Sequence, residues 1–196
     1  MDYMIYVADV ETTGLDSRLN DVIELSLIRL NDGVQKTWCL KPLNQATIDP
    51  VSLKINGHKH EDITHQTKIG RDTYLDPHKV IVEVENWVME DDATTSNRIL
   101  CGQNVSFDKD MLTQLWNKCG SAGTMPFSDR RAIDTMQIEF FLDLCQNTVA
   151  KGYNLNALTK KYGVKNEKAH SAAADTLATK EVFEKQLEFF KKILNK

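Results

Sequence analysis

With 196 residues, 41% of them apolar and 27% charged, the chain has the size and balance of one globular domain, and residues 1–196 are expected to form it. It contains no run of about 18 apolar residues, which excludes a membrane-spanning helix. Met1-Asp2-Tyr3-Met4-Ile5 lacks the basic start and long apolar stretch of a secretion signal. The expected place is therefore the cytoplasm, or a host's cytoplasm for a viral chain. A formal net charge of −4 excludes a broad basic surface as the basis of any nucleic-acid binding.

The first 40 residues read as strands. Tyr3 to Val10 is an apolar run, and Val22 to Leu30 alternates Val22, Glu24 and Ser26 with Ile23, Leu25 and Leu27, both sets largely apolar, as in a central strand. Asn31-Asp32-Gly33 is a tight-turn signal, and Val34 to Leu40 returns as a third antiparallel strand. Asp49 to Asn56 reads as a short helix stopped by Gly57, and Pro77 to Met89 has apolar residues at helical spacing. Arg98 to Cys101 is a short strand, after which Ser106 is expected to cap a helix running to Cys119. A strand edge at Ala132-Ile133 precedes helices over Thr135–Cys145, Leu155–Tyr162 and Ser171–Leu194. The last is amphipathic, with Leu177, Phe183, Leu187, Phe190 and Leu194 expected to face the core. Strands first and alternating strands and helices afterwards give an α/β layer arrangement.

Four cysteines, Cys39, Cys101, Cys119 and Cys145, are widely spaced without a C-x-x-C. They fit reduced, mostly buried thiols in a reducing compartment. His58-Lys59-His60 with His65 has no zinc-finger spacing and no nearby cysteine, and reads as a solvated loop. Glu83, Glu85, Glu90, Asp91 and Asp92 read as a solvated acidic face, and Lys180, Lys185, Lys191 and Lys192 as the outer face of the last helix.

Three blocks carry chemistry. In Val7-Ala8-Asp9-Val10-Glu11-Thr12-Thr13-Gly14, the strand period puts Asp9 and Glu11 on one face. Two like charges side by side on a buried strand are costly unless a cation neutralises them. In Gly102-Gln103-Asn104-Val105-Ser106-Phe107-Asp108, a strand runs into a helix whose first turn holds Asp108, where the helix dipole favours an anion. Asn104 is placed to pin that loop or to cap. In Lys168-Ala169-His170-Ser171-Ala172-Ala173-Ala174-Asp175-Thr176, an alanine run marks a closely packed helix, and Asp175, a poor helix-interior residue, follows it. Four carboxylates suit two divalent cations about 3.5–4 Å apart, and an imidazole titrates close enough to neutrality to take a proton from water. Those carboxylates also account for the net charge of −4, so the remainder is near neutral.

Together the blocks resemble the three motifs of the DEDD exonuclease superfamily in its histidine-containing subtype, a family that includes the epsilon-type proofreading subunits of bacterial replicases. The resemblance extends from about Tyr3 to Leu187, with further matches at Ile55-Asn56-Gly57, Ile133-Asp134-Thr135 and Tyr153-Asn154-Leu155-Asn156-Ala157-Leu158. It implies a ribonuclease-H-like fold, a mixed central sheet opening with three antiparallel strands and flanked by helices. It also implies 3′→5′ hydrolysis of a nucleic-acid end with release of nucleoside 5′-monophosphates. By the same resemblance Asp9 would bridge two Mg²⁺ or Mn²⁺ ions. Glu11 and Asp175 would help hold one of them, Asp108 would serve the other, and His170 would be the general base. Thr12, Thr13 and Leu15 would meet the terminal nucleotide, and Asn104 and Phe107 would line the cleft, Phe107 from the core side. Gln103 departs from the family, where many members have histidine.

The implied partner is the 3′ end of single-stranded DNA, with RNA next. A polymerase subunit and a second copy of the chain are both open, and no membrane partner is expected. The competing reading from another class is a docking or proofreading subunit whose main task is partner binding within a polymerase assembly.

Overall fold

The computed structural model describes residues 3–64, 74–120, 124–149, 151–167 and 169–194. The N-terminal apolar run forms β1 (Met4–Thr12), and β2 (Val22–Arg29) and β3 (Val34–Cys39) follow it as an antiparallel meander. Gly33 closes the β2–β3 turn at φ 72°, in the left-handed region a glycine enters without a Cβ clash. β4 (Arg98–Gly102) joins β1 in parallel, and β5 (Ala132–Asp134) joins β4 in parallel. The sheet order is therefore β3-β2-β1-β4-β5, a mixed sheet that opens with the three antiparallel strands the sequence predicts.

The helices are α1 (Pro50–Asn56), α2 (His60–Thr64), α3 (Pro77–Met89), α4 (Val105–Lys118), α5 (Thr135–Gln146), α6 (Leu155–Tyr162) and α7 (Ala172–Leu194). α1 and α3 start where Asp49 and Asp76 accept the N–H groups of Val51 and His78, each followed by a proline that needs no partner there. α4 departs from expectation. Its cap position is Asn104, in the left-handed conformation at φ 58° and with no side-chain cap bond, so Ser106 already lies inside the helix. α2 was not legible in the sequence, because five residues are too few to show an apolar repeat.

Residue parity along β1 sorts the two faces. Tyr6, Ala8 and Val10 join Leu25, Leu27 and Leu100 against α3 and α4. Ile5 and Val7 join Ile28, Cys101 and Ile133 against Phe183 and Leu187 of α7. Asp9 and Glu11 continue the second set, so they fall on the α7 side. α7 packs differently from its predicted stripe. Phe183 is buried, but Leu177 is 45% exposed and Leu194 82% exposed. The inward positions are Ala172, Thr176, Ala178, Thr179, Val182 and Gln186, mostly small side chains that let the helix lie close to the sheet. Of the three polar ones, Thr176 donates to the Ala172 carbonyl at 2.5 Å and Gln186 to the Thr135 carbonyl at 2.9 Å.

The acidic stretch around α3 is not simply solvated. Asp91 is paired with buried Arg98 at 2.7 Å, Glu83 accepts the Trp38 indole N–H at 3.1 Å and Glu85 that of Trp116 at 2.7 Å. Apolar packing had placed these indoles in the core, and their N–H groups then required acceptors at its edge. Cys101 and Cys119 are buried free thiols and Cys145 is an exposed one. Among the described residues no helix is long and apolar enough to cross a membrane.

Candidate active site

At the carboxyl end of β1 the ladder with β2 shifts register between Glu11 and Thr12, ending regular pairing where the first chemical block lies. Asp9 and Glu11 project from this end toward the first turn of α7. There Asp175 meets them, and one carboxylate oxygen from each of the three lies within 4.8 Å of the others. The residues come from β1 and α7, more than 160 positions apart in the chain.

Asp108 comes to β1 on α4, whose apolar residues pack with Tyr6, Ala8 and Val10. It lies in the first turn of α4, fully inside the protein, and accepts the Val10 N–H at 3.1 Å. Burial raises the Asp9 carboxyl well above the usual range, and the charges of Asp108, Glu11, Asp175 and Glu24 push it further. Burial likewise raises Glu11, with Glu24 and Asp175 adding to it and an Asn56 hydrogen bond opposing it, from an ordinary 4.5 to about 8. Asp108 is raised by burial against the pull of its backbone hydrogen bonds, and Asp134 and Glu11 add to the rise. Among the described residues no lysine or arginine forms an ion pair with Asp9, Glu11, Asp108 or Asp175. Clustered anions that lack a cationic side chain are the condition that a metal ion relieves, and an all-oxygen donor set fits a hard divalent cation.

His170 is exposed on the loop before α7, with φ 71°. Its backbone N–H donates to Asp175 Oδ2 at 3.1 Å, while Asn166 holds Asp175 Oδ1 at 2.6 Å. The imidazole is thus at the rim and outside the three-carboxylate group. Asn166 was visible only as a loop residue, since nothing local signals a bond to a side chain nine positions on.

The turn after β1 is built from the inside. Thr12 donates to the Gly14 carbonyl at 2.7 Å, and Thr13, with no exposed surface, accepts the Asp21 N–H at 2.9 Å. Gly14 lies so close to Asn20 that an added Cβ would meet its amide at 2.4 Å. Of the three residues expected to meet a nucleotide, only Leu15 offers substantial surface, at 80% exposure. Asn104 is exposed and its N–H donates to Asp134 at 3.1 Å. Phe107 packs on the core, as expected. Gln103 ties its loop to two neighbours, donating to the Tyr153 carbonyl at 2.5 Å and accepting from the Thr135 hydroxyl at 2.7 Å.

His58 corrects an expectation. It is not on a solvated loop: its side chain is 10% exposed and its Nε2 lies 3.2 Å from Glu24 Oε2. His65 of the same group lies outside the described residues. The contacts of Glu24 are not legible in the sequence, because it sits inside an apolar strand and its neighbours are distant along the chain.

The model of the RNase_T exonuclease family matches residues 6–183. The chain belongs to this family. It is a DEDD-type 3′→5′ exonuclease, a hydrolase. It is similar to PolC-type DNA polymerase III of Staphylococcus aureus, 29% identical over 98% of this exonuclease and 12% of that protein. PolC-type DNA polymerase III of Staphylococcus saprophyticus is 30% identical over 93% of this chain and 11% of its own length. The exonuclease thus spans about an eighth of these relatives. Its fold is that of E. coli exonuclease I, solved with a dT13 oligonucleotide, at TM-score 0.71 and 18% identity over 94% of this chain and 40% of that one. Exonuclease I of Methylocaldum szegediense superposes at TM-score 0.70 with 19% identity, covering 98% of this chain and 43% of that one.

Proposed function

We propose that residues 1–196 form one exonuclease domain of the histidine-containing DEDD type. It shortens single-stranded nucleic acid from the 3′ end, DNA before RNA, and releases nucleoside 5′-monophosphates. The observation that carries this reading is the meeting of Asp9, Glu11 and Asp175, with Asp108 close by, in a partly buried place where no lysine or arginine among the described residues pairs with them.

Two divalent cations, Mg²⁺ or Mn²⁺, would supply the positive charge that holds the scissile phosphate and makes water easier to deprotonate. Asp9, which feels the charges of Asp108, Glu11 and Asp175, would help hold both ions. Glu11 and Asp175 would hold one with it, and Asp108 the other. Asn166 and the His170 N–H fix both oxygens of Asp175, so that ligand is oriented before any ion arrives. His170 stands at the rim and would take the proton from the attacking water on its ring. Leu15 would pack against the terminal base, with Asn104 on the opposite wall. Thr12 and Thr13 would act by holding the turn and Phe107 by bracing Asp108.

The test is a time course with 5′-labelled single-stranded DNA and RNA in Mg²⁺, Mn²⁺ or EDTA. A ladder shortening from the 3′ end, absent with EDTA, is expected, and DNA is expected to be faster. Folded protein that cleaves neither substrate contradicts the reading.

One observation favours a second role: the similar PolC-type proteins are DNA polymerases that carry this region as a small part. Proofreading within a polymerase assembly follows, and co-elution with a polymerase tests it.

A further inference from the structure

Glu24 is buried on β2 directly opposite Glu11 on β1, on the face that α7 covers. Like charges opposed across a ladder are destabilising. Yet Glu24 differs from Glu11 in having its carboxylate fully engaged. Oε2 meets His58 Nε2 at 3.2 Å, and His58 Nδ1 meets the Tyr74 hydroxyl at 2.5 Å. Oε1 accepts from the Ser171 hydroxyl and the Ala173 N–H, both at 3.4 Å. Ala173 belongs to the first turn of α7, where free N–H groups and the positive end of a 23-residue helix favour an anion.

Two segments that touch the carboxylate cluster are thereby joined through one side chain. His58 follows Gly57, which ends α1, and Asn56 of α1 donates to the Thr12 carbonyl at 3.1 Å beside Glu11. On the other side α7 begins, with Asp175 in its first turn and the His170 N–H bound to that carboxylate. The Thr176 hydroxyl, 3.4 Å from the Ser26 carbonyl, makes a further and long hydrogen bond from α7 to β2.

We propose that Glu24 is a positioning residue: through its hydrogen bonds to His58 and to the start of α7 it sets Asp175 against Asp9 and Glu11 in the geometry that takes a divalent cation. This rests on the metal-dependent reading above. Glu24 acts here by accepting hydrogen bonds, not by lending a fifth charge or a ligand oxygen. The neutral isostere separates the two roles. In Glu24→Gln the amide oxygen still accepts from Ser171 and Ala173 and the amide N–H can donate to a neutral His58, while the charge is gone.

The experiment is a calorimetric Mn²⁺ titration of the full chain at fixed pH, for wild type, Glu24→Ala, Glu24→Gln and His58→Ala, with circular dichroism to confirm folding. Glu24→Ala is expected to weaken Mn²⁺ binding about tenfold or more, and Glu24→Gln to stay within roughly threefold of wild type, the scale of residues that orient metal ligands. His58→Ala, which leaves every acidic residue in place, is expected to fall between them and serves if Glu24→Ala does not fold. Wild-type binding in both alanine variants overturns the inference alone. So does a loss in Glu24→Gln as large as in Glu24→Ala, which would make the charge the active feature. Absence of Mn²⁺ binding in wild type overturns the inference and the metal-dependent reading beneath it.

Discussion

Tyr6 and Asp9 stand three residues apart on β1, face opposite sides of the sheet and meet carboxylates in opposite ways. On the Tyr6 side, Asp91 has no exposed side-chain surface, yet Arg98 pairs with it at 2.7 Å and the Tyr6 hydroxyl donates to it at 2.7 Å. Burial alone would raise Asp91, but these hydrogen bonds outweigh it and hold the carboxyl below its usual range. On the Asp9 side burial acts the same way, no lysine or arginine among the described residues pairs with these carboxylates, and Asp9, Glu11 and Asp108 are all raised. One arrangement is complete within the protein and serves the core. The other is complete only with something from outside. Perturbed carboxylates mark function in the second case because their compensating charge is missing, not because they are buried.

The comparison breaks most directly at Asp9. Asp9→Asn should lower cleavage by about 10³-fold or more if the proposed metal site loses a ligand with it. The same change should raise the melting temperature of the metal-free protein, because it removes a costly anion. Loss of folding instead would mean that Asp9 belongs with Asp91 as a structural residue. His170→Ala, at the rim, should reduce the single-turnover rate roughly 10²–10⁴-fold while the melting temperature and Mn²⁺ binding stay unchanged. On the other side, Arg98→Met leaves Asp91 buried and unpaired. It should cost about 3–5 kcal/mol in denaturant unfolding, with metal affinity retained in the folded fraction.

A pH series sharpens the contrast. Glu11 rises from 4.5 to about 8 on folding, so between those values the native state binds more protons than the unfolded one. Stability of the metal-free protein must then fall as pH rises through that window and level off above about 8. Asp91 has the opposite sign, and its contribution is lost only in acid. Thermal melts from pH 5 to 9 should show the decline in EDTA, and a stabilisation by Mg²⁺ or Mn²⁺ that grows with pH as the ion replaces protons. A flat profile in EDTA would contradict the unrelieved-charge account. The smallest effect is expected at Leu15, where alanine should raise KM roughly three- to tenfold with kcat little changed, the loss of one packed aliphatic side chain.

The pattern of what the sequence reveals follows from range. α3 and α6 were read with their observed bounds, because Asp76-Pro77 and Asn154 start them with local chemistry and Gly163 ends α6. Asp9, Glu11, Asp108, His170 and Asp175 were legible as types at characteristic places, and the fold brings the carboxylates from three segments toward one point. What local reading missed is what long-range contacts decide. Leu177 looked core-facing by spacing, but the small residues of α7 took the contact. Asp91 looked solvated until Arg98 and Tyr6 met it. Glu24 looked like a lapse in an apolar strand until His58 and the start of α7 closed on it.

The most direct test is calorimetric titration of Mn²⁺ into the EDTA-stripped, dialysed protein at pH 8, beside Asp9→Asn. The account predicts saturable binding by wild type with protons released into the buffer, and its loss or strong weakening in the variant. Equal binding by both proteins, or none by folded wild type, would contradict the claim that a divalent cation is the missing partner of these carboxylates.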